Sequence, residues 1–410
     1  MAGLAKQTAE EAASLIFSVE STIRPEASRN VPFERRFRHP ERNPHLGWNP
    51  DPRTISGFQF VDVVLDGQFR GLYNRNGFIH GTGYLVPDEV MAGIRVEESR
   101  LVSAGSDRVI IVGCNVAHTN YFHWITQALP AIDHAVNRVG QARSIAIALA
   151  LPPLNTWQEE SLRLLELAHI RRMTIDDPAK QYVLASVEYN ELLNGGAAFS
   201  NSVTTLATYR RLREAVERPL SRDKKIYVAR TDAPRRQMRN ETAVIEEVRK
   251  RGYEVVPPGM LNFKEQVELF RSAHIVVGPY GAGMTNIVFC EPGTIVYELV
   301  PAHYTNSRFV NLGMICGLRY WQEAFNSEGE DEVPINLRAW ESDTQLIAER
   351  LDEIERIDAE LQAEAEQQPI SAMDFLRGTP GRFRSHEPLP VEPEPVREGT
   401  IRKLLRAIFG

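Results

Sequence analysis

The stretch IVVGPYGAGMTNIVFCEPGTIVYELVP, residues 275–301, passes from an apolar run through close-set glycines into a short helix, then into a second apolar run. A strand that ends in glycines and opens a helix aims backbone N–H groups and a helix dipole at whatever lies above it. An anion, most often a phosphate, suits that arrangement. Gly281 and Gly283 make the turn behind Tyr280, and Thr285 and Asn286 in the first helical turn offer side-chain hydrogen bonds. Glycines also serve tight turns for packing alone, so the motif leaves both readings open. A second group lies upstream in YVARTDAPRRQMRNE, where Arg230 ends another apolar run and Arg235, Arg236 and Arg239 follow. The planar fork of arginine holds two oxygens of a diphosphate at once. Solvated surface charge is the alternative, and it is weakest for Arg230. A third group is NYFHWITQALPAIDH, with His123, Asp133 and His134, and His118 two residues before it. His123 falls two to three residues into a helix behind the buried run VIIVGCN, which points it towards a cleft. An imidazole near its ordinary pKa accepts a hydroxyl proton at neutral pH; a structural histidine is the plain alternative.

Elements that would position these residues can be read from the apolar pattern. From about 55 to 215, ISGFQFVDVVLDG suggests a strand or hairpin, VIIVGCN a buried strand, and Tyr121 to Val139 a helix. SIAIALAL reads as another buried strand, TWQEESLRLLELAHI as a helix capped by Thr156, and QYVLASVEY as a strand. The pattern restarts at 225 with the strand KIYVAR. A helix follows from the cap Asn240 through Arg251, closed by Gly252, then the strand YEVVPP. Asn262 and Glu265 form a capping box for the helix to Ala273, which leads into HIVVG, the glycine turn, MTNIVFC and TIVYEL. Alternation of this kind predicts an α/β protein of two Rossmann-like domains facing a cleft. The expected segments are an arm over the surface (1–50), a first domain (51–220), a second domain (221–340), a helical segment (341–378) and a Pro/Glu-rich linker with an amphipathic tail (379–410). Within the helical segment, Glu341 to Gln367 reads as one long charged helix packing across the back.

Composition narrows the class. The chain has 410 residues, 43% of them hydrophobic, enough for two cored domains. A net charge of −7 argues against a nucleic-acid partner. Three cysteines, Cys114, Cys290 and Cys316, are odd in number and widely spaced, which fits a reducing, cytoplasmic compartment. The longest apolar run, Ile145 to Leu151, is too short to span a bilayer. In the last stretch, TIRKLLRAIFG, Ile401, Leu404, Leu405 and Ile408 make an apolar stripe beside Arg402, Lys403 and Arg406. That stripe suits either peripheral contact at the inner membrane face through 400–410 or docking onto the protein itself or a second copy.

Together, YFHWITQALPAI, IYVAR…RRQMRNE and FKEQVELFRSAHIVVGPYGAGMTNIVFCEPGTIVYEL resemble glycosyltransferase family 61, whose bacterial members are often labelled capsular polysaccharide biosynthesis proteins. The likeness runs from roughly 105 to 301 and is strongest over 225–301. It implies a two-domain GT-B fold and inverting transfer from a nucleotide-sugar donor to a glycan or lipid-linked acceptor. By position, Arg230, Arg236 and Asn240 match the family's arginine-bearing strand and following helix. Gly281, Gly283, Thr285 and Asn286 match its glycine turn, and Glu298 the acidic residue of its last strand. Glu298 reads either as a ligand of the donor ribose or as a buried structural carboxylate. His123 matches the first-domain histidine and is the candidate base or the base's partner, with Asp133 as the fallback. Tyr280, where relatives often carry histidine, joins the donor-binding set. Gln127 stands where they often carry aspartate. No Asp-x-Asp pair occurs in the chain, so no metal and no other cofactor is expected. Two other classes stay open. A nicotinamide-dependent dehydrogenase should carry a fuller glycine fingerprint early in its domain, and a non-catalytic sugar-nucleotide binder is kept in view by Gln127.

Overall fold

The computed structural model describes residues 7–20, 34–37, 54–103, 107–141, 146–195, 203–217, 219, 221–230, 235–304, 308–325, 334 and 337–367. The linker and tail of 379–410 lie outside them. Two sheets organise the described chain. The apolar runs of the first half become the parallel neighbours Val109–Val112, Ile147–Leu151 and Arg172–Thr174. Gln181–Asn190 lies parallel to Val109–Val112 on one side and antiparallel to Thr54–Asp66 on the other. Ser14–Glu20 and Leu72–Asn74 then pair antiparallel with Thr54–Asp66. The first sheet is therefore mixed, with ten strands among the described residues. Its parallel half follows the predicted pattern. Its antiparallel half gathers on Thr54–Asp66, thirteen residues long, which turns directly into Leu72–Asn74 and takes Ser14–Glu20 and Gln181–Asn190 from distant parts of the chain.

The second sheet is parallel throughout, in the order Glu254–Val256, Lys224–Val228, Ala273–Pro279, Ile295–Pro301, Arg319–Phe325, Glu34–Phe37. Ile295–Pro301 is buried at every position, as a strand covered on both faces must be. The last strand corrects the reading of 1–50 as an arm over the surface. Glu34–Phe37 completes the edge of the second sheet, while Gln7–Thr8 and Ser14–Glu20 join the first. Ladder hydrogen bonds come from the backbone, so this Arg-rich segment forms a strand without any apolar period to announce it.

Helix ends follow local chemistry. Asn262 and Glu265 form the predicted capping box, and Gly252 takes φ +79 beyond Glu241–Lys250. The helix Thr156–Leu164 is capped by Asn155 with Gln158, one residue before the predicted Thr156. Asn240 sits at its predicted boundary without capping through its side chain, which holds the carbonyl of Ser342 at 2.7 Å instead. The long helix is Thr344–Gln367. Its Ile347, Leu351 and Ile354 are buried in one cluster with Tyr227 and Ile275 of the second sheet and Val248 of the helix Glu241–Lys250.

The helix Val203–Glu214 ties the two halves together. Arg213, buried, donates from Nη1 to the carbonyls of Val288 (3.1 Å) and Cys290 (3.0 Å) at the end of the glycine-turn helix. Carbonyls at a helix end have no intrahelical donor, and orphaning one in a dry interior costs about 1–3 kcal/mol. Arg213→Met should lower unfolding stability by at least that amount in a urea titration. An unchanged midpoint would show that other donors serve these carbonyls.

Candidate active site

The glycine turn starts where Ala273–Pro279 ends, and the helix after it, Ala282–Phe289, is a 3₁₀-helix. Its first internal bond runs from Met284 N to Gly281 O, 2.9 Å. Helix-type bonding leaves the leading N–H groups of such a helix without intrahelical acceptors. Gly281 is required by proximity: a Cβ there would stand 2.5 Å from Arg230 Nε. The Arg230 guanidinium lies across the turn and donates to the carbonyls of Tyr280 (2.5 Å) and Arg235 (2.9 Å). Arg230 thus braces the turn, a different task from the direct diphosphate grip expected of it.

Arg236 sits differently. Its guanidinium stacks over Tyr280 and Tyr304, 5.2 and 4.8 Å from the ring centroids. Its Nε is buried with no partner among the described residues. The residue sits in the left-handed region at φ +52, and Trp340 Nε1 holds its carbonyl at 2.9 Å. A non-glycine residue in that conformation is uncommon and persists where its surroundings hold it.

Three predicted donor ligands turn inward. Thr285, Asn286 and Glu298 are fully buried. Asn286 donates to Gln266 Oε1 at 2.8 Å and accepts from the Tyr121 hydroxyl. Glu298 Oε2 accepts from Tyr320 (2.9 Å) and Gln322 Nε2 (2.6 Å), so one of its two oxygens serves the neighbouring strand. Thr285 Oγ1 has no partner among the described residues. Asn240 is likewise spent on packing, with Oδ1 taken by Ser342 N at 3.0 Å.

On the opposite side, Asn120 caps the helix that carries His123 by accepting from Phe122 N at 3.0 Å. The predicted single helix is interrupted: Tyr121–His123 is α-helical, Trp124–Ala128 is a π-turn, and Leu129–Gln141 is α-helical again. Such insertions are frequent at functional sites. His123 Nδ1 lies 3.2 Å from Gln127 Oε1 and 3.3 Å from the Tyr84 hydroxyl. Burial, then the charge of Arg308, pulls the imidazole pKa down to about 4. His123 is therefore a neutral imidazole at physiological pH and a weaker base than its unperturbed value implied. Asp133 does not fit the fallback role. It is 2% exposed, paired with Arg211 and hydrogen-bonded by Thr208 (2.8 Å) and Asn137 (2.9 Å), a polar knot that joins two helices. His118 is held at Nδ1 by the Asn115 carbonyl, 3.1 Å away.

The two sides meet. Phe122 packs edge-on to Phe309 at 5.7 Å, and Phe309 packs on Tyr280 at 5.2 Å. Arg308 lies over the Phe122 ring, and Tyr121 reaches Asn286 across the junction. His123, on the first sheet's side, and the Tyr280–Arg236 stack, on the second's, thus line one region. Tyr84, Asn115, Tyr304 and Arg308 belong to it and were missed in the sequence. Tyr84, Tyr304 and Arg308 lie in stretches without a motif, Asn115 ends the run VIIVGCN, and only the fold brings them in.

Residues 121–297 match the family model described as Glycosyltransferase 61. That span opens at Tyr121 and takes in both sides of the junction. Over 60 residues the chain is 30% identical to Beta-1,2-xylosyltransferase of Arabidopsis thaliana. Over a stretch of the same length it is 33% identical to Beta-1,2-xylosyltransferase RCN11 of Oryza sativa subsp. japonica. Each match covers 15% of this chain and only 11% of the relative. The family match and both relatives support a glycosyltransferase. No helix among the described residues is long and apolar enough to cross a membrane.

Proposed function

We propose that this protein is an inverting glycosyltransferase of the GT-B type, moving a sugar from a nucleotide-sugar donor to a hydroxyl of a glycan or lipid-linked acceptor in surface polysaccharide assembly. The observation that carries the reading is the junction itself. A neutral histidine from one sheet and a stacked arginine beside a glycine turn from the other adjoin through the Phe122–Phe309–Tyr280 contacts. In the proposed step, the acceptor oxygen attacks the anomeric carbon as the bond to the diphosphate oxygen breaks. The hydroxyl proton passes to His123. Arg236 and the leading N–H groups of Ala282–Phe289 face the charge that develops on the leaving diphosphate, the kind of preorganised donor set that stabilises such charge.

The test is release of free nucleoside diphosphate from a panel of sugar nucleotides, with and without acceptor, headed by a xylosyl donor because both relatives carry that activity in their names. Acceptor-dependent release supports transfer. Binding without release would favour a non-catalytic sugar-nucleotide binder, and hydride chemistry with a nicotinamide would favour a dehydrogenase. Turnover should also survive EDTA, since arginine and helix N–H groups are proposed to meet the diphosphate charge. A complete loss restored by magnesium or manganese would overturn the metal-independent mechanism.

A further inference from the structure

His123 does not stand alone behind the junction. Asn115, buried, has both ends of its amide fixed by backbone: Oδ1 accepts from Ala117 N at 3.0 Å, and Nδ2 donates to the Leu193 carbonyl at 3.0 Å. Exchanging its oxygen and nitrogen would set like against like at both contacts. Nδ2 therefore also faces Gln127, 2.8 Å away, and the Gln127 atom that meets it must be oxygen. Gln127 is fully buried in the π-turn, and its Nε2, without a full hydrogen bond among the described residues, faces the Tyr84 hydroxyl. Reversing this amide would press its N–H groups against those of Asn115. The same Oε1 lies 3.2 Å from His123 Nδ1. An amide oxygen only accepts. With Gln127 Oε1 accepting and the Tyr84 hydroxyl, which can also accept, as the other contact at Nδ1, the proton of the neutral ring is placed on Nδ1.

We propose that Gln127 is the positioning residue of His123: oriented by Asn115, its amide oxygen holds the imidazole as the Nδ1–H tautomer and leaves the lone pair on Nε2 to take the acceptor proton. The other groups facing the ring are the Tyr84 hydroxyl, 3.3 Å from Nδ1, the Phe122 ring and the charge of Arg308. Burial raises the Tyr84 pKa, so that hydroxyl stays protonated and polar without adding charge. An uncharged amide orients the ring as a carboxylate would, yet leaves the imidazole without an anion to stabilise its protonated form. The tautomer rests on the Gln127 contact at Nδ1, with Tyr84 accepting there; its catalytic use rests on the transferase reading above.

Long-range ¹H–¹⁵N correlation on full-length protein labelled at histidine tests the tautomer directly, with the His123 signal assigned by its loss in His123→Gln. A protonated-type Nδ1 and an unprotonated-type Nε2 at neutral pH are expected. The reverse assignment, or an averaged signal, overturns the proposal. Gln127→Glu keeps the acceptor and adds charge, so the His123 titration should move up by about 1–3 units with the Nδ1–H tautomer retained. Gln127→Leu should lower turnover about ten- to hundredfold, the scale for losing an orienting partner, with KM little changed and turnover regained by the Glu variant. Should Gln127→Leu fail to fold, the wild-type spectrum still decides. An Nδ1–H tautomer together with a fully active His123→Ala protein would sink the base assignment and leave the tautomer standing. An inactive His123→Ala protein with an Nε2–H ring would do the opposite.

Discussion

His123→Ala is expected to cut turnover by about two to four orders of magnitude, the range for losing a positioned general base, while affinity for the sugar nucleotide changes little. The separation follows from where the residue sits. His123 and its partners Gln127 and Tyr84 belong to the first sheet's side, whereas Arg236 and the glycine turn belong to the second. The pH dependence sharpens the test. Because burial and Arg308 lower the imidazole pKa to about 4, the acid limb of kcat/KM, which reports the free enzyme, should fall near pH 4. A limb near the ordinary histidine value would mean either a different base or a solvated ring. Stability moves with the same group. An unfolded chain protonates this imidazole near its ordinary pKa of about 6.5, so between that value and 4 the unfolded state binds more protons. Stability is then full above about pH 6.5 and declines as the pH falls towards 4. Burial lowers the pKa of His118 and His134 as well, which adds to the decline in the same direction. A urea midpoint that rose on acidification would contradict these environments.

Much of the second sheet was legible because its signals are local. Buried runs such as TIVYEL, the Asn262–Glu265 capping box and the glycines after HIVVG each act within a few residues, and each appears where the sequence placed it. Long-range pairing was not legible. Nothing in ERRF foretells an edge strand, and the strand-or-hairpin reading of ISGFQFVDVVLDG did not disclose that Thr54–Asp66 takes antiparallel neighbours from distant segments on both sides. The same limit governs the site. Polar residues beside the turn looked like ligands by type. Whether Asn286 meets a phosphate or Gln266 depends on a helix twenty residues away, and whether Glu298 meets a ribose or Tyr320 depends on the neighbouring strand. Asp133 failed for the same reason, since its partners Thr208 and Arg211 come from a helix some seventy-five residues on. Gln127, which looked like a lost carboxylate, is placed by a π-turn that apolar periodicity does not reveal.

Gly281→Ala should weaken nucleoside diphosphate binding about ten- to hundredfold, while Gly283→Ala should do much less. A methyl at 281 would meet Arg230 Nε at 2.5 Å and Cδ at 2.6 Å. That guanidinium is pinned between two carbonyls, those of Tyr280 and Arg235, so it cannot give way without releasing the loop that carries Arg236. At 283 the nearest atoms are Val228 Cγ1 at 3.0 Å and Pro258 Cγ at 3.3 Å, apolar groups that need shift only slightly. The magnitude comes from the contact at stake, since a hydrogen bond to a charged group contributes about 1.5–3 kcal/mol. Arg236→Ala should reproduce the loss by removing the donor itself. Arg236→Lys should restore little of it, because an ammonium neither spreads over the Tyr280 and Tyr304 rings as a guanidinium does nor offers a planar fork. Arg230→Ala should weaken binding as well, acting through the turn it braces. Calorimetric titration with a nucleoside diphosphate, alongside circular dichroism to confirm folding, reads all five variants. Wild-type affinity in folded Gly281→Ala and Arg236→Ala proteins would show that the diphosphate binds elsewhere. Equal losses at 281 and 283 would instead implicate a general loosening of the turn, and the division of labour between a bracing Arg230 and a ligand-facing Arg236 would have to be abandoned.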